Sequence, residues 1–272
     1  MFTTHKRNTF TPDKLGTNLV YWITARDITI DGKASFIKDG SNRVSQINDL
    51  SPWSNHVSQS SGALQPLLVE SGMGNNNQPY YDFNGGCKIE RINATLTPFS
   101  NPSNGPRNMG SIFVVFEHTS DTTLQYFYLR NTSLSTVGLL LIMSHGTSAD
   151  QTTSVPLKNR IGHRFREGAF TVSNNETDLI NGQQLIVEIT KPNKNSAARF
   201  TIDGVDDGVI GNSGIYYNSP NRAWLWAQRT NNMDILIGNT TPVKLSEIII
   251  TNDINNRSKE NIYTYLKKIY NI

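Results

Sequence analysis

Along the chain, apolar positions gather in short dense runs set apart by polar, turn-rich stretches. The first run is Leu19-Val20-Tyr21-Trp22-Ile23. It is followed by Arg43 to Ile47, Pro66 to Val69, Tyr80 to Phe83, Ser111 to Phe116, Gln125 to Leu129 and Val137 to Met143. The series continues with Gln184 to Ile189, Ala198 to Ile202, Ala223 to Trp226, Met233 to Ile237 and Lys244 to Ile250. Most of these carry β-branched or aromatic residues over a strand's length, which predicts strands. The separators include Asp39-Gly40, Asn84-Gly85-Gly86, Asn104-Gly105, Asn181-Gly182, Asp203-Gly204 and Asp207-Gly208, all steps that favour turns. About a dozen strands with frequent turns predict an all-β fold, a two-sheet antiparallel jelly-roll sandwich.

Two stretches, Gly72 to Gln78 and Pro98 to Met109, are rich in Asn, Gly, Pro and Ser and read as surface loops. The strand patterns on either side of them are alike, and no repeat of fixed period appears. The reading is therefore one domain over 12–272 behind an N-terminal arm, 1–11. One segment breaks the β pattern. Ile262, Tyr265, Leu266 and Ile269 stand at i, i+3, i+4 and i+7, an amphipathic stripe that predicts a C-terminal helix over 256–270. Asn255 is its N-cap candidate, and Lys267 and Lys268 suit the negative end of its dipole.

Composition narrows the function classes. The 272 residues carry 25 Lys+Arg against 22 Asp+Glu, a formal charge of +3 too small and scattered to imply nucleic acid or an anionic membrane. The 31 asparagines, with many Thr, Ser and Gly, argue against a helical bundle. Cys87 stands alone, which excludes a disulfide framework and any Cys-based zinc site. Met1 to Phe10 is polar and basic with no apolar stretch behind it, so no secretory signal is predicted. The longest apolar run, Val137 to Met143, is far too short to span a bilayer.

Taken in order, several segments resemble the concanavalin A-like lectin/glucanase jelly roll, in its laminin-G-like branch common in phage particle proteins and secreted bacterial proteins. The opening strand of that branch corresponds to Leu19-Val-Tyr-Trp-Ile-Thr-Ala-Arg-Asp27. Its next stretch corresponds to Val44-Ser-Gln-Ile-Asn-Asp49-Leu-Ser51-Pro-Trp-Ser-Asn55-His, followed by Gln65-Pro66. A Phe-Asp-Gly turn reads here Tyr81-Asp82-Phe83-Asn84-Gly85, and the closing strand and helix read Glu247-Ile-Ile-Ile250 and Tyr265-Leu266-Lys-Lys-Ile-Tyr270. The likeness runs over roughly residues 12–272. Ile47 replaces the usual second Trp, and Thr24 and Arg26 replace acidic or small residues, all at positions that serve packing.

The resemblance raises the question of catalysis. The hydrolytic branch resembles a retaining glycosidase, with carboxylates on one strand in a Glu-x-Asp-x-x-Glu pattern. The nearest match, Glu176-Thr-Asp178-Leu-Ile-Asn181, ends in an amide. His5, His56, His118, His145 and His163 are dispersed, without zinc-ligand spacing. No nucleophile elbow is present, although a Ser-His-Asp group can still assemble in space. Cys87, after Gly85-Gly86, reads as an incidental half-buried thiol. The expectation is a non-enzyme without a cofactor.

Binding residues remain. Calcium is the most plausible ion, with Asp203, Asp206 and Asp207 as oxygen donors, although the same residues suit a plain Asp-Gly hairpin turn. Sugar-binding faces use exposed aromatic rings, and the candidates are Trp53, Tyr216, Tyr217, Trp224 and Trp226. Core or subunit-contact roles suit the same rings. The basic residues His5, Lys6 and Arg7 suit a grip on a neighbouring subunit.

The functional expectation from this reading is a structural, non-enzymatic protein of a tailed-phage particle, an auxiliary or decoration capsid protein or a fibre component. It would be made in the host cytoplasm and displayed on the virion surface, with other virion proteins and copies of itself as partners. The alternative is a carbohydrate-binding, lectin-like adhesion module that holds glycans.

Overall fold

The computed structural model describes residues 10–94, 110–117, 124–131, 138–144, 160–165, 169–173, 182–190, 199–210, 233–238, 243–252 and 254–272. The strands of the N-terminal part are β1 (Leu19–Thr24), β2 (Thr29–Ile30), β3 (Lys33–Ala34), β4 (Phe36–Lys38), β5 (Val44–Ile47), β6 (Val57–Ser58), β7 (Leu67–Met73), β8 (Gln78–Asp82) and β9 (Lys88–Ala94). There follow β10 (Ser111–Glu117), β11 (Leu124–Asn131), β12 (Gly138–Ser144), β13 (Arg160–Phe165) and β14 (Ala169–Ser173). The last are β15 (Gln184–Thr190), β16 (Arg199–Ile202), β17 (Val205–Ile210), β18 (Met233–Gly238) and β19 (Lys244–Thr251), before the helix α1 (Asn256–Tyr270). The all-β sandwich with a C-terminal helix is the architecture found.

Two antiparallel sheets form its layers. In the first, β17, β16, β15, β10 and β19 lie side by side. The far edge of β19 is shared: Lys244 and Leu245 pair with β8, and Glu247 to Thr251 pair with β1. The second sheet runs β4-β5-β6-β9-β18-β11-β12-β13-β14. Strand β17 belongs to both, because its end pairs Val209 and Ile210 with β14.

The central strands of the first sheet are buried on both faces, which explains why they read as unbroken apolar runs rather than alternating ones. In β10, Ile112, Val114 and Phe116 enter the core between the sheets, while Phe113 and Val115 enter a second core beneath α1. In β15 and β19 the same alternation sends Ile186 and Ile249 to the helix side. Strand β1 departs from it. Val20 and Tyr21, adjacent in sequence, both enter the inter-sheet core, because a register shift between Leu19 and Tyr21 bulges the strand. The predicted helical stripe does what its spacing requires: Ile262, Tyr265 and Leu266 are buried against Trp22, Phe113, Val115 and Ile249, and Ile269 packs at the margin.

Two turn readings are corrected. Gly72 to Gln78 is not a free loop. Gly72 and Met73 end β7, Gln78 begins β8, and Asn75, Asn76 and Asn77 make the hairpin turn between them. That turn caps the end of α1. Asn75 Nδ2 donates to the carbonyl of Asn271, and Asn76 Nδ2 to those of Lys268 and Ile269, carbonyls that a helix leaves unpaired. Asp207-Gly208 is likewise no turn but part of β17, where Gly208 stands opposite Phe200 next to a register shift. Asp203-Gly204 is the turn its sequence predicts. Ile202 pairs with Val205 across a two-residue loop with φ of 51° and 88°, the left-handed pair of a type I′ hairpin.

Candidate functional site

A groove of about 450 Å³ opens between α1 and the strands β15 and β16 of the first sheet. Helix residues Asn256, Lys259, Glu260, Tyr263, Thr264 and Lys267 form one wall, with Glu188, Thr201 and Gly204 opposite. Those helix positions recur at i, i+3, i+4, i+7, i+8 and i+11, so α1 carries a polar stripe beside its apolar one. The Asn255 side chain fixes the start of the helix by accepting from Ser258 N at 2.9 Å.

The groove's charged groups are held by specific partners. Glu188 is 6 % exposed. Lys259 Nζ lies 3.8 Å from Glu188 Oε1 and donates to Thr190 Oγ1 at 2.8 Å. Ser111 Oγ donates to Glu188 Oε1 at 3.2 Å. Burial pushes the Glu188 carboxyl up, against the pull of Lys259 and Ser111. Tyr263 is half-buried and fixed at both ends: its hydroxyl donates to Thr201 O at 3.1 Å, and its ring meets Phe113 edge-on at 5.7 Å. Burial also raises its hydroxyl. The exposed Lys267 ammonium stands 5.9 Å from the centre of the Tyr263 ring.

What anchors α1, and hence the groove, is the buried carboxylate of Glu247. Trp22 Nε1 and Tyr265 Oη donate to its Oε1 at 2.8 and 2.9 Å, and Tyr270 Oη donates to Oε2 at 2.7 Å. Thr24 Oγ1 lies 3.4 Å from Oε2, and Arg26 Nη2 is 3.5 Å from both oxygens. Arg26 also donates to the Tyr265 hydroxyl. Every group here except Arg26 is buried, so the network ties helix to sheet rather than facing a ligand.

Among the described residues, the candidates named from sequence do not come together as one site. Trp53 is half-buried in a loop built on Asp49, whose carboxylate accepts from Trp22 N, Ser51 N and Oγ, and Asn55 N. The Trp53 indole N–H donates to Leu19 O at 3.0 Å. His56 is nearby, so Ser, His and Asp do come together, but not as a catalytic triad: the imidazole Nδ1 accepts from Asp49 N, and Ser51 is buried. Asp203 Oδ1 accepts from Ile186 N at 2.8 Å, a bond that ties the hairpin turn to β15, and Asp206 and Asp207 belong to β17. Among the described residues, no three His, Cys, Asp or Glu side chains gather as a metal set. Cys87 is half-buried and burial raises its thiol. Tyr216, Tyr217, Trp224, Trp226, His5, Lys6 and Arg7 lie outside the described residues, as do Glu176 and Asp178. Sequence reasoning missed the groove. Its signal was the second, polar stripe of α1, legible once the apolar stripe is set aside.

No family model matches the chain, and no curated protein matches it in sequence. Solved structures match in shape. An arabinofuranosidase complexed with arabinofuranosyl-alpha-1,2-xylobiose superposes with a TM-score of 0.51 at 13 % identity, over 92 % of this chain and 58 % of that one. The sialidase of Trypanosoma rangeli in complex with sialic acid gives 0.50 at 12 % identity, over 92 % of this chain and 33 % of that one. The chain thus spans about a third of the sialidase and less than two thirds of the arabinofuranosidase. At such identity the likeness shows the fold alone, a β-sandwich. It overturns two expectations. The reading as a structural protein of a phage particle finds no counterpart here, since the two similar structures are a sialidase and an arabinofuranosidase, and the reading as a non-enzyme falls with it.

Proposed function

We propose that this chain is a carbohydrate-binding β-sandwich module of the concanavalin A-like lectin/glucanase kind. The observation that carries the reading is the groove along α1. A rigidly held tyrosine ring there is flanked by amide, hydroxyl, ammonium and carboxylate groups, the mixture that pairs with sugar hydroxyls and ring faces. The sandwich, of a type that glycosidases also carry, supports it. The residues over 12–272 then act as one binding unit. Glycan-array screening of the purified chain tests this. Binding to a defined set of glycans is the expected result, and binding to none overturns the reading.

A second reading, glycoside hydrolysis at the same groove, is favoured by one observation. Glu188 and Glu260 line it together, and burial drives the Glu188 carboxyl toward its protonated form, as a general acid requires. Release of reducing ends from glycans bound on the array, lost in Glu188→Gln, is its signature; glycan binding without such release leaves the module non-hydrolytic.

A further inference from the structure

The groove carries both signs of charge. Its lining contains two lysines and two glutamates. One pair is internal, because Lys259 lies against the buried Glu188. The other two charges, exposed Glu260 and exposed Lys267, stand seven residues apart on the same helix face, about 10 Å along the axis. Behind Gly204, the Asp203 carboxylate is bonded to Ile186 N and also faces Lys267. An anionic ligand therefore gains less at Lys267 than it loses at Glu260 and Asp203 together. Hydroxyl groups lose nothing in either place, since they donate to carboxylates and accept from ammonium.

The groove is also long and open rather than deep, and most of its lining side chains carry polar groups. Its helix wall, Asn256 to Lys267, extends about 16 Å. Tyr263 is the aromatic ring in that lining, and it is held in place before any ligand arrives, which lowers the ordering cost of stacking on it. Thr201, Asn256 and Thr264 add uncharged donors and acceptors along the length.

We infer that this groove is the glycan site of the module and that it takes a short uncharged oligosaccharide, its ring face against Tyr263 and its hydroxyls bridging Glu260 and Lys267. The inference rests on the carbohydrate-binding reading and adds the place and the charge class. Isothermal titration of the full chain with cellotriose, xylotriose and arabinotriose, and separately with trigalacturonate and sialyllactose, tests it. A neutral trisaccharide is expected to bind at least tenfold more tightly than either acidic one. Thr264→Trp, a substitution at an exposed position that fills the groove without touching a core, is expected to weaken that binding at least tenfold, with unchanged thermal unfolding. Tyr263→Phe, which keeps the ring, is expected to retain it. Neutral binding that survives Thr264→Trp overturns the site while the module reading stands. Tighter binding of the acidic glycans overturns the charge class. Array binding to no glycan overturns both.

Discussion

The indole N–H of Trp22 donates to Glu247 Oε1 at 2.8 Å, across a ladder in which Thr24 is the backbone partner of Glu247. One carboxylate with no exposed side-chain surface thereby serves two sheet residues and two tyrosines from α1, with Arg26 as its cation. Its removal strands all of them. Glu247→Ala is expected to destabilise the fold by about 3–5 kcal/mol, the cost of leaving the half-buried Arg26 guanidinium and three buried donors, Trp22 Nε1 and the Tyr265 and Tyr270 hydroxyls, without their acceptor. Urea unfolding, followed by tryptophan fluorescence, checks the figure through the shift in midpoint.

Gly74 and Gly204 both adopt positive φ, at 70° and 88°, yet their substitution has unequal consequences. A Cβ at Gly74 would fall 1.9 Å from the Tyr270 carbonyl oxygen, in the backbone of the helix end. At Gly204 the nearest atom is the mobile tip of Lys267. Gly204→Ala is expected to cost about 1–2 kcal/mol, the left-handed backbone term alone. Gly74→Ala should exceed it by at least about 1–2 kcal/mol, because the hairpin turn must leave the helix it caps. Thermal unfolding of the two variants side by side decides this.

His56 gives the loop at Asp49 a pH dependence. Its Nδ1 accepts from Asp49 N, so protonation breaks that bond, and burial holds the imidazole below its ordinary value of 6.5. The unfolded chain then binds the proton more readily than the folded one. Stability is present above the ordinary value and is lost as pH falls through it toward the lower folded value. The melting temperature of the native chain is expected to drop between about pH 7 and pH 5, and less so in His56→Asn, whose side-chain oxygen still accepts but does not titrate there.

Glu188 has the opposite sign. Burial raises its carboxyl, so the folded state holds the proton longer, and stability falls as pH rises from the ordinary carboxylate range through the raised value. Lys259 limits that rise. Lys259→Ala is expected to move the Glu188 carboxyl further up and to carry the loss of stability to higher pH. Carbon-13 NMR titration of the glutamate carboxyls, compared with Glu188→Gln for assignment, reads the shift directly.

The strands were legible wherever burial on both faces or a clear turn dipeptide marked them. Ser111 to Phe116 corresponds to β10, and the helix occupies the residues its spacing and Asn255 predict. Asn75-Asn76-Asn77 was misread because asparagine favours turns whether or not its amides have work to do. Here the amides of Asn75 and Asn76 cap a helix nearly two hundred residues away in sequence. The Glu247 network was invisible for a similar reason, since Trp22 lies 225 residues from it and neither residue reveals the pairing alone. The groove was half legible: the polar stripe of α1 is written in its spacing, but Glu188 and Thr201 come from other strands.

The double membership of β17 bears on how copies of this chain meet one another. Exposed sheet borders invite a neighbour's backbone to add on, the first step of fibre growth. On one side β17 occupies the border of both sheets at once. On the other, Val44 N bonds Pro66 O and Leu68 N bonds Asn42 O, stitching β5 toward β7, and β4 beyond is three residues long and ends in Lys38. Among the described residues, these two borders are thus partly engaged within the chain itself, leaving that much less backbone for another copy to template on.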